Sequence, residues 1–179
     1  MLTQFTAEGS DKTTLAEFGF PPRVYPVGRL DFDSEGLLIL SDDAAMNAAL
    51  LRPERGHTRE YWAQVENVPD EKALQQLRSG VLIEGRRTMP ADAWLIDGEP
   101  NVPPRPVPVR FRKNIPTAWM GLTLTEGKNR QVRKMTAAVG HPTLRLMRVA
   151  IGSLELLKLN LQPGEWRELT HAEVDRLFD

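Results

Sequence analysis

The stretch "VGRLDFDSEGLLIL", residues 27–40, places three carboxylates, Asp31, Asp33 and Glu35, at alternate positions ahead of Gly36 and an apolar run. That spacing serves three chemistries. Counted from Asp31, the pattern D-x-D-x-E-G with Asp42 at position twelve resembles a calcium loop of the EF-hand type. Such a loop needs a helix on each side. Here Pro21, Pro22 and Pro26 precede it, "LLILS" follows it as a strand, and Ile39 falls at a ligand position. A solvated turn is the second reading; acids beside a glycine usually face water, and this suits Asp33 and Glu35. It suits Asp31 less, because Asp31 follows Arg29 and Leu30 and is expected at a strand end rather than a turn tip. The third reading makes Asp31 a catalytic carboxylate. It then needs a cation nearby to keep it ionised and aimed, in a pocket poor in water.

The chain offers such cations in "EGKNRQVRKMTAAVG", residues 126–140. Arg130, Arg133 and Lys134 fall in the first turn of an expected helix over Asn129–Gly140, where the macrodipole is already positive. Each base there costs a few tenths of a kcal/mol, up to about 1. An anion is the simplest compensation: phosphates, a protein carboxylate, or both. Taken alone, the bases also suit a solvent-facing patch. With Arg145 and Arg148 following in the next strand, nucleic acid is the favoured ligand.

Composition narrows the classes. At 179 residues the chain is long enough for one domain with a real core. It has no cysteine, which removes disulfides, thiolate metal sites and cysteine nucleophiles, and suits a reducing compartment such as the cytoplasm. His57, His141 and His171 are scattered, so a histidine metal site or a Ser-His-Asp triad has little support. No apolar run approaches the length of a membrane span, about 20 residues. Net charge is −1, yet the distribution is uneven: residues 102–113 and 126–148 are basic, while residues 1–50 and the tail from Glu155 are acidic. One charged face is therefore expected. With no long apolar surface stripe, a monomer is expected.

The elements that must position these groups follow from pattern. "RVYPV" (23–27) and "LLILS" (37–41) read as strands around the acidic loop. "DDAAMNAALLRP" reads as a helix ended by Pro53. "REYWAQVE" (59–66) alternates as a half-buried strand does. "DEKALQQLRSG" reads as a helix capped by Asp70 and stopped at Gly80. "VLIEG", "DAWLID", "VRFRK", "TAWMGLTLTEG" (117–127) and "TLRLMRVAIG" (143–152) read as strands. Thr170 and Glu173 form a capping box for a last short helix. "EPNVPPRPVP" (99–108) is a crossing loop or linker. Strands outnumber helices and do not alternate with them, which predicts an α+β fold with a mixed or mostly antiparallel sheet.

Together, "GRLDFDSEGLLILSDD", "EYWAQVE", "EGKNRQVRKMTAAVGHPTLRLMRVAIG" and "PGEWRELT" resemble the ribosomal RNA pseudouridine synthases of types A (small ribosomal subunit), B, E and F (large ribosomal subunit). The resemblance runs from about Tyr25 to Thr170, and the order of the blocks carries it. It implies a pseudouridine synthase fold, a long mixed sheet flanked by helices with a central cleft, as a single catalytic domain over residues 1–179. Two departures matter. The Lys-Pro strand that opens the family's catalytic domain is missing from "LTQFT", either by trimming or outright. No S4 RNA-binding domain is expected ahead of it, an arrangement similar to the type E members, which bears on affinity and specificity rather than chemistry.

The resemblance implies conversion of a specific uridine of large-subunit 23S ribosomal RNA into pseudouridine, without cofactor or metal, by detaching uracil, rotating it and rejoining it through carbon. It implies Asp31 as the essential carboxylate, Tyr61 of "EYW" as its aromatic partner, Arg133 of "RQVR" as its arginine, and Leu146 of "LRLMR" as the apolar contact to the base. Asp31 would attack the sugar, attack the uracil ring or remove a sugar proton; a carboxylate suits all three. Arg133 would hold it ionised. Tyr61 would offer a face to the flipped base, and Leu146 would wall the pocket. Arg29, Lys128, Arg130, Lys134 and Arg145 would hold phosphates. Two rivals remain: an RNA-binding module without catalysis, and a calcium protein built on residues 31–42.

Overall fold

Three long strands form the middle of this molecule, and the last two are buried on both faces along most of their length. In the computed structural model, which describes residues 1–6, 9, 11–52, 56–105 and 115–179, the strands are β1 (Tyr25–Pro26), β2 (Glu35–Gly36), β3 (Leu40–Ser41), β4 (Arg59–Glu66), β5 (Leu82–Ile83), β6 (Arg86–Arg87), β7 (Asp92–Ile96), β8 (Thr117–Leu124), β9 (Thr143–Ile151) and β10 (Leu154–Glu155). The helices are α1 (Ala44–Leu51), α2 (Glu71–Arg78), α3 (Gln131–Ala138) and α4 (His171–Asp175). The main sheet runs β10-β9-β4-β8-β7 with antiparallel neighbours. β2 joins it by a short parallel pairing, Glu35 with Met147 and Gly36 with Arg148. This is the expected α+β fold with a mixed, mostly antiparallel sheet.

Helix ends follow their caps. The Asp43 carboxylate accepts hydrogen bonds from the Ala45 and Met46 N–H groups and starts α1. The Asp70 carboxylate accepts from the Ala73 N–H and starts α2, which Ser79 and a left-handed Gly80 end. The Thr170–Glu173 capping box opens α4 as expected. α2 turns Ala73, Leu74 and Leu77 onto the sheet, where they meet Ala63, Val65 and Leu122. α3 adds Val132 and Met135 to the same core. Each fully buried residue of this size contributes about 1.5–3 kcal/mol. A second core joins Val27, Leu37 and Ile39 to Leu50, Ile151, Leu154 and Leu177. It anchors the segment around the acidic loop to the end of β9 and to the C-terminus.

Three expectations need correction. The strand read over 37–41 survives only as β3, which pairs with β1, because residues 35–36 leave to join β9 instead. "VLIEG" is half of a hairpin, β5–β6, that turns at Glu84 and Gly85, both at positive φ. α3 starts at Gln131 rather than Asn129, since Arg130 is left-handed at φ 51°. The stop at Pro53 and the strand "VRFRK" lie outside the described residues.

Candidate active site

Asp31 does not end a strand. It is the first corner of a turn, its carbonyl accepting from the Ser34 N–H at 2.9 Å. The chain then passes along β9, and Gly36 is the residue that permits it. Its φ is +103°, and a Cβ there would lie 2.2 Å from the Arg148 carbonyl oxygen. The Leu37 N–H donates to that same oxygen at 2.8 Å, fixing the loop against β9.

The start of α3 faces this turn. Arg130, strained into the left-handed region, aims both terminal nitrogens at the Asp33 carboxylate, at 2.8 and 3.0 Å. Arg133 reaches the same turn from the first helical turn, donating to the Asp33 carbonyl at 2.9 Å. Its Nε has no hydrogen-bond partner and lies 4.0 Å from Asp31 Oδ2, while Arg130 Nη1 lies 3.8 Å from that oxygen. The bases at the positive end of α3 are thus compensated by carboxylates of the protein itself. The hydrogen bond from Arg130 holds the Asp33 carboxyl below its usual range, against the opposing effect of burial. Burial lowers Arg133 from its ordinary value, the one guanidinium of this turn that desolvation dominates.

Asp33 and Glu35 are therefore ion-paired rather than free turn acids, although Asp33 keeps 40% of its side chain exposed. Glu35 takes Arg145 at 2.7 Å and Arg105 at 3.1 Å. Among the described residues no group of three acids, histidines or cysteines stands together as a metal site. With Asp33 and Glu35 each held by guanidinium groups, the calcium reading loses its ligands.

A cleft of about 70 Å³ opens beside Asp31. Tyr61, Leu124, Val132 and Leu146 line it, with Arg29, Lys128 and Arg130 at its charged side. β4 presents Tyr61, and β9 presents Leu146. Glu126 forms part of the wall and organises the turn into α3: it accepts from the Met89 N–H at 2.8 Å and from Gln131 Nε2 at 2.6 Å. Burial pushes its carboxyl upward, yet the Met89 N–H, Lys128 and Gln131 outweigh that and keep it below the usual range.

The four residues expected at the reacting centre, Asp31, Tyr61, Arg133 and Leu146, thus come together. The five expected phosphate ligands divide. Arg29, Lys128 and Arg130 border the cleft, although Lys128 also meets Glu126 at 3.1 Å. Lys134 points to Glu84 on the hairpin, at 2.8 Å. Arg145 departs from expectation: it is buried, bound to Glu35 and to the Pro103 carbonyl, and near the Trp119 ring. Strand alternation explains this, since Arg145 lies on the face opposite Leu146, whereas Arg148 shares the face of Leu146. Arg148 lines the cleft, yet sequence reasoning counted it only among the bases and gave it no place in the site. Counting in twos from Leu146 would have found it.

A carboxylate beside two guanidinium groups, an aromatic ring, apolar walls and a cationic rim can bind a nucleotide and act on its glycosidic carbon. Comparison with known proteins agrees. A family model described as RNA pseudouridylate synthase matches residues 3–138. The chain is 51% identical over 168 residues to "Ribosomal large subunit pseudouridine synthase E" of Xanthomonas campestris, covering 93% of this chain and 89% of that protein. It is 46% identical over 168 residues to the protein of the same name from Vibrio parahaemolyticus, covering 94% of this chain and 69% of that one. A solved structure described as a pseudouridylate synthase superposes with a TM-score of 0.77 at 27% identity, over 93% of this chain and 66% of its own. The acidic turn, the cleft and these matches together establish that this chain belongs to the RNA pseudouridylate synthase family.

Proposed function

We infer that this chain isomerises a specific uridine of large-subunit ribosomal RNA to pseudouridine, with Asp31 as the reacting carboxylate. One observation carries the assignment of the site: Asp31 stands 4.0 Å from Arg133 and 3.8 Å from Arg130, in a cleft that Tyr61 and Leu146 also line. Isomerisation breaks the bond from C1′ to N1 and forms one from C1′ to C5. The C5 proton leaves and N1 gains one, so no atom is added overall and no oxidant is consumed. Positive charge develops on the sugar as the first bond breaks, and a fixed carboxylate stabilises or traps it. Arg133 and Arg130 set positive charge beside Asp31 without saturating it.

The target base must leave its stack, at a cost of a few kcal/mol. Tyr61 receives its face, and Leu146 closes the opposite wall. Arg29, Lys128 and the exposed part of Arg130 hold the flanking phosphates, which position RNA without reading it. Arg145 supports Glu35 instead. The protein acts as a single catalytic domain and a monomer, which sedimentation of the free chain checks.

The function is tested by mapping pseudouridines in ribosomal RNA from cells with and without this protein. Loss of a large-subunit site on deletion, and its return on complementation, is the expected result. An unchanged map would refute the assignment.

A further inference from the structure

Arg148 is 3% exposed, in a strand whose cleft-facing neighbour Leu146 is apolar. Burying a guanidinium strips it of water, and a methionine or leucine would fill this place without that cost. One of its terminal nitrogens, Nη2, is buried and makes no hydrogen bond, which adds to the penalty. Packing alone therefore does not explain an arginine here.

Its contacts point to a linking role. Arg148 grips the end of the acidic loop twice. Its backbone carbonyl accepts from the Leu37 N–H at 2.8 Å, and its side-chain Nε donates to the Leu37 carbonyl at 2.8 Å. Across the sheet its register partner is Tyr61, just beyond a bulge between Glu60 and Tyr61. Both side chains line the cleft. Burial lowers the guanidinium from its ordinary value, while the Tyr61 side chain beside it favours the charged form.

We propose that Arg148 is a positioning residue for the isomerisation: it ties the Tyr61 hydroxyl on β4 to the Leu37 carbonyl at the end of the Asp31 loop, so that ring and carboxylate meet the flipped base in fixed register. This rests on the reading that Tyr61 faces the base and Asp31 reacts. Lysine at position 148 keeps the charge but lacks the planar fork that reaches two partners. Phenylalanine at position 61 keeps the ring but removes the hydroxyl. Each change loosens the same link, so their effects should not multiply.

The test is single-turnover pseudouridine formation with the full chain in saturating excess over an unmodified large-subunit rRNA transcript. R148K and Y61F are each expected to slow the step about 100-fold, the cost of misplacing reacting groups by about 1 Å. RNA affinity should stay within about 3-fold, and R148K/Y61F should be no slower than about the worse single variant. A wild-type rate in R148K overturns the proposal, as does a double variant whose losses multiply. If R148K does not fold, Y61F decides alone: a wild-type rate there overturns it, and a slowed step with normal RNA affinity supports it. Failure of the underlying reading looks different, since D31N would then react as fast as wild type whatever residue occupies position 148.

Discussion

Asp31 and Glu35 bracket one short turn, and their side chains are equally exposed at 25%. Their surroundings differ in kind. Glu35 is saturated: Arg145 reaches it through two nitrogens at 2.7 and 3.1 Å, and Arg105 adds a third contact at 3.1 Å. Asp31 has two guanidinium groups near it, but at 3.8 and 4.0 Å, and one long hydrogen bond from Ser34 at 3.5 Å. A structural carboxylate is best fully paired, because every lone pair left dry is a loss. A reacting carboxylate must stay ionised yet keep an oxygen free. The turn supplies both environments within five residues, since β2 sends Glu35 to one face of β9 while Asp31 stays over the cleft.

This contrast is open to attack from several sides. Among the groups around Asp31 the largest effect is expected at Arg133, whose unpartnered Nε is the cation nearest Asp31 after Arg130. R133M should lower kcat about 100- to 1,000-fold, as loss of a preorganised charge in an active site does, in a steady-state assay with RNA in saturating excess. Next comes the crossing that separates the two carboxylates. G36A forces a Cβ to within 2.2 Å of the Arg148 carbonyl at a left-handed position. It should cost about 3 kcal/mol and lower the melting temperature by roughly 6–12 °C, read by thermal denaturation. Weaker still is the effect on RNA binding. R29A should lower the slope of log affinity against log salt by about 0.7–0.9, whereas R145M should leave the slope unchanged, because Arg145 faces Glu35 and not the cleft. An equal drop in both would erase the distinction between the two faces.

The smallest effect concerns pH. The Arg130 hydrogen bond depresses Asp33, so its folded value lies below the unfolded one. The stabilisation from Asp33 is then fully present above the unfolded carboxylate value, about 3.9, and is lost as pH falls through the depressed folded value. D33N should flatten the acid limb of the melting curve against pH and leave the neutral region parallel to wild type.

Much of this arrangement is written locally. The strand over residues 59–66 alternates in its second half, and it folds with those bounds. The caps at Asp70 and Thr170 are short-range signals, and both form. What local pattern omits is the pairing of distant groups. Asp33 meets Arg130 across 97 residues and Glu35 meets Arg145 across 110, so both acids looked like solvated turn residues. The parallel pairing of β2 with β9 is equally non-local, and it shortened the expected strand over 37–41. Arg145 and Arg148 are a separate case. The twofold repeat of a strand assigns them to opposite faces, so the sequence distinguishes them once Leu146 is placed in the cleft.

The most direct measurement compares D31N with E35Q on one large-subunit rRNA transcript, with pseudouridine formed and RNA bound read side by side. D31N should bind RNA within about 3-fold of wild type and form no pseudouridine. E35Q should melt at a lower temperature and still form product at close to the wild-type rate. Pseudouridine formed by D31N at the wild-type rate would contradict the assignment of Asp31 as the reacting carboxylate.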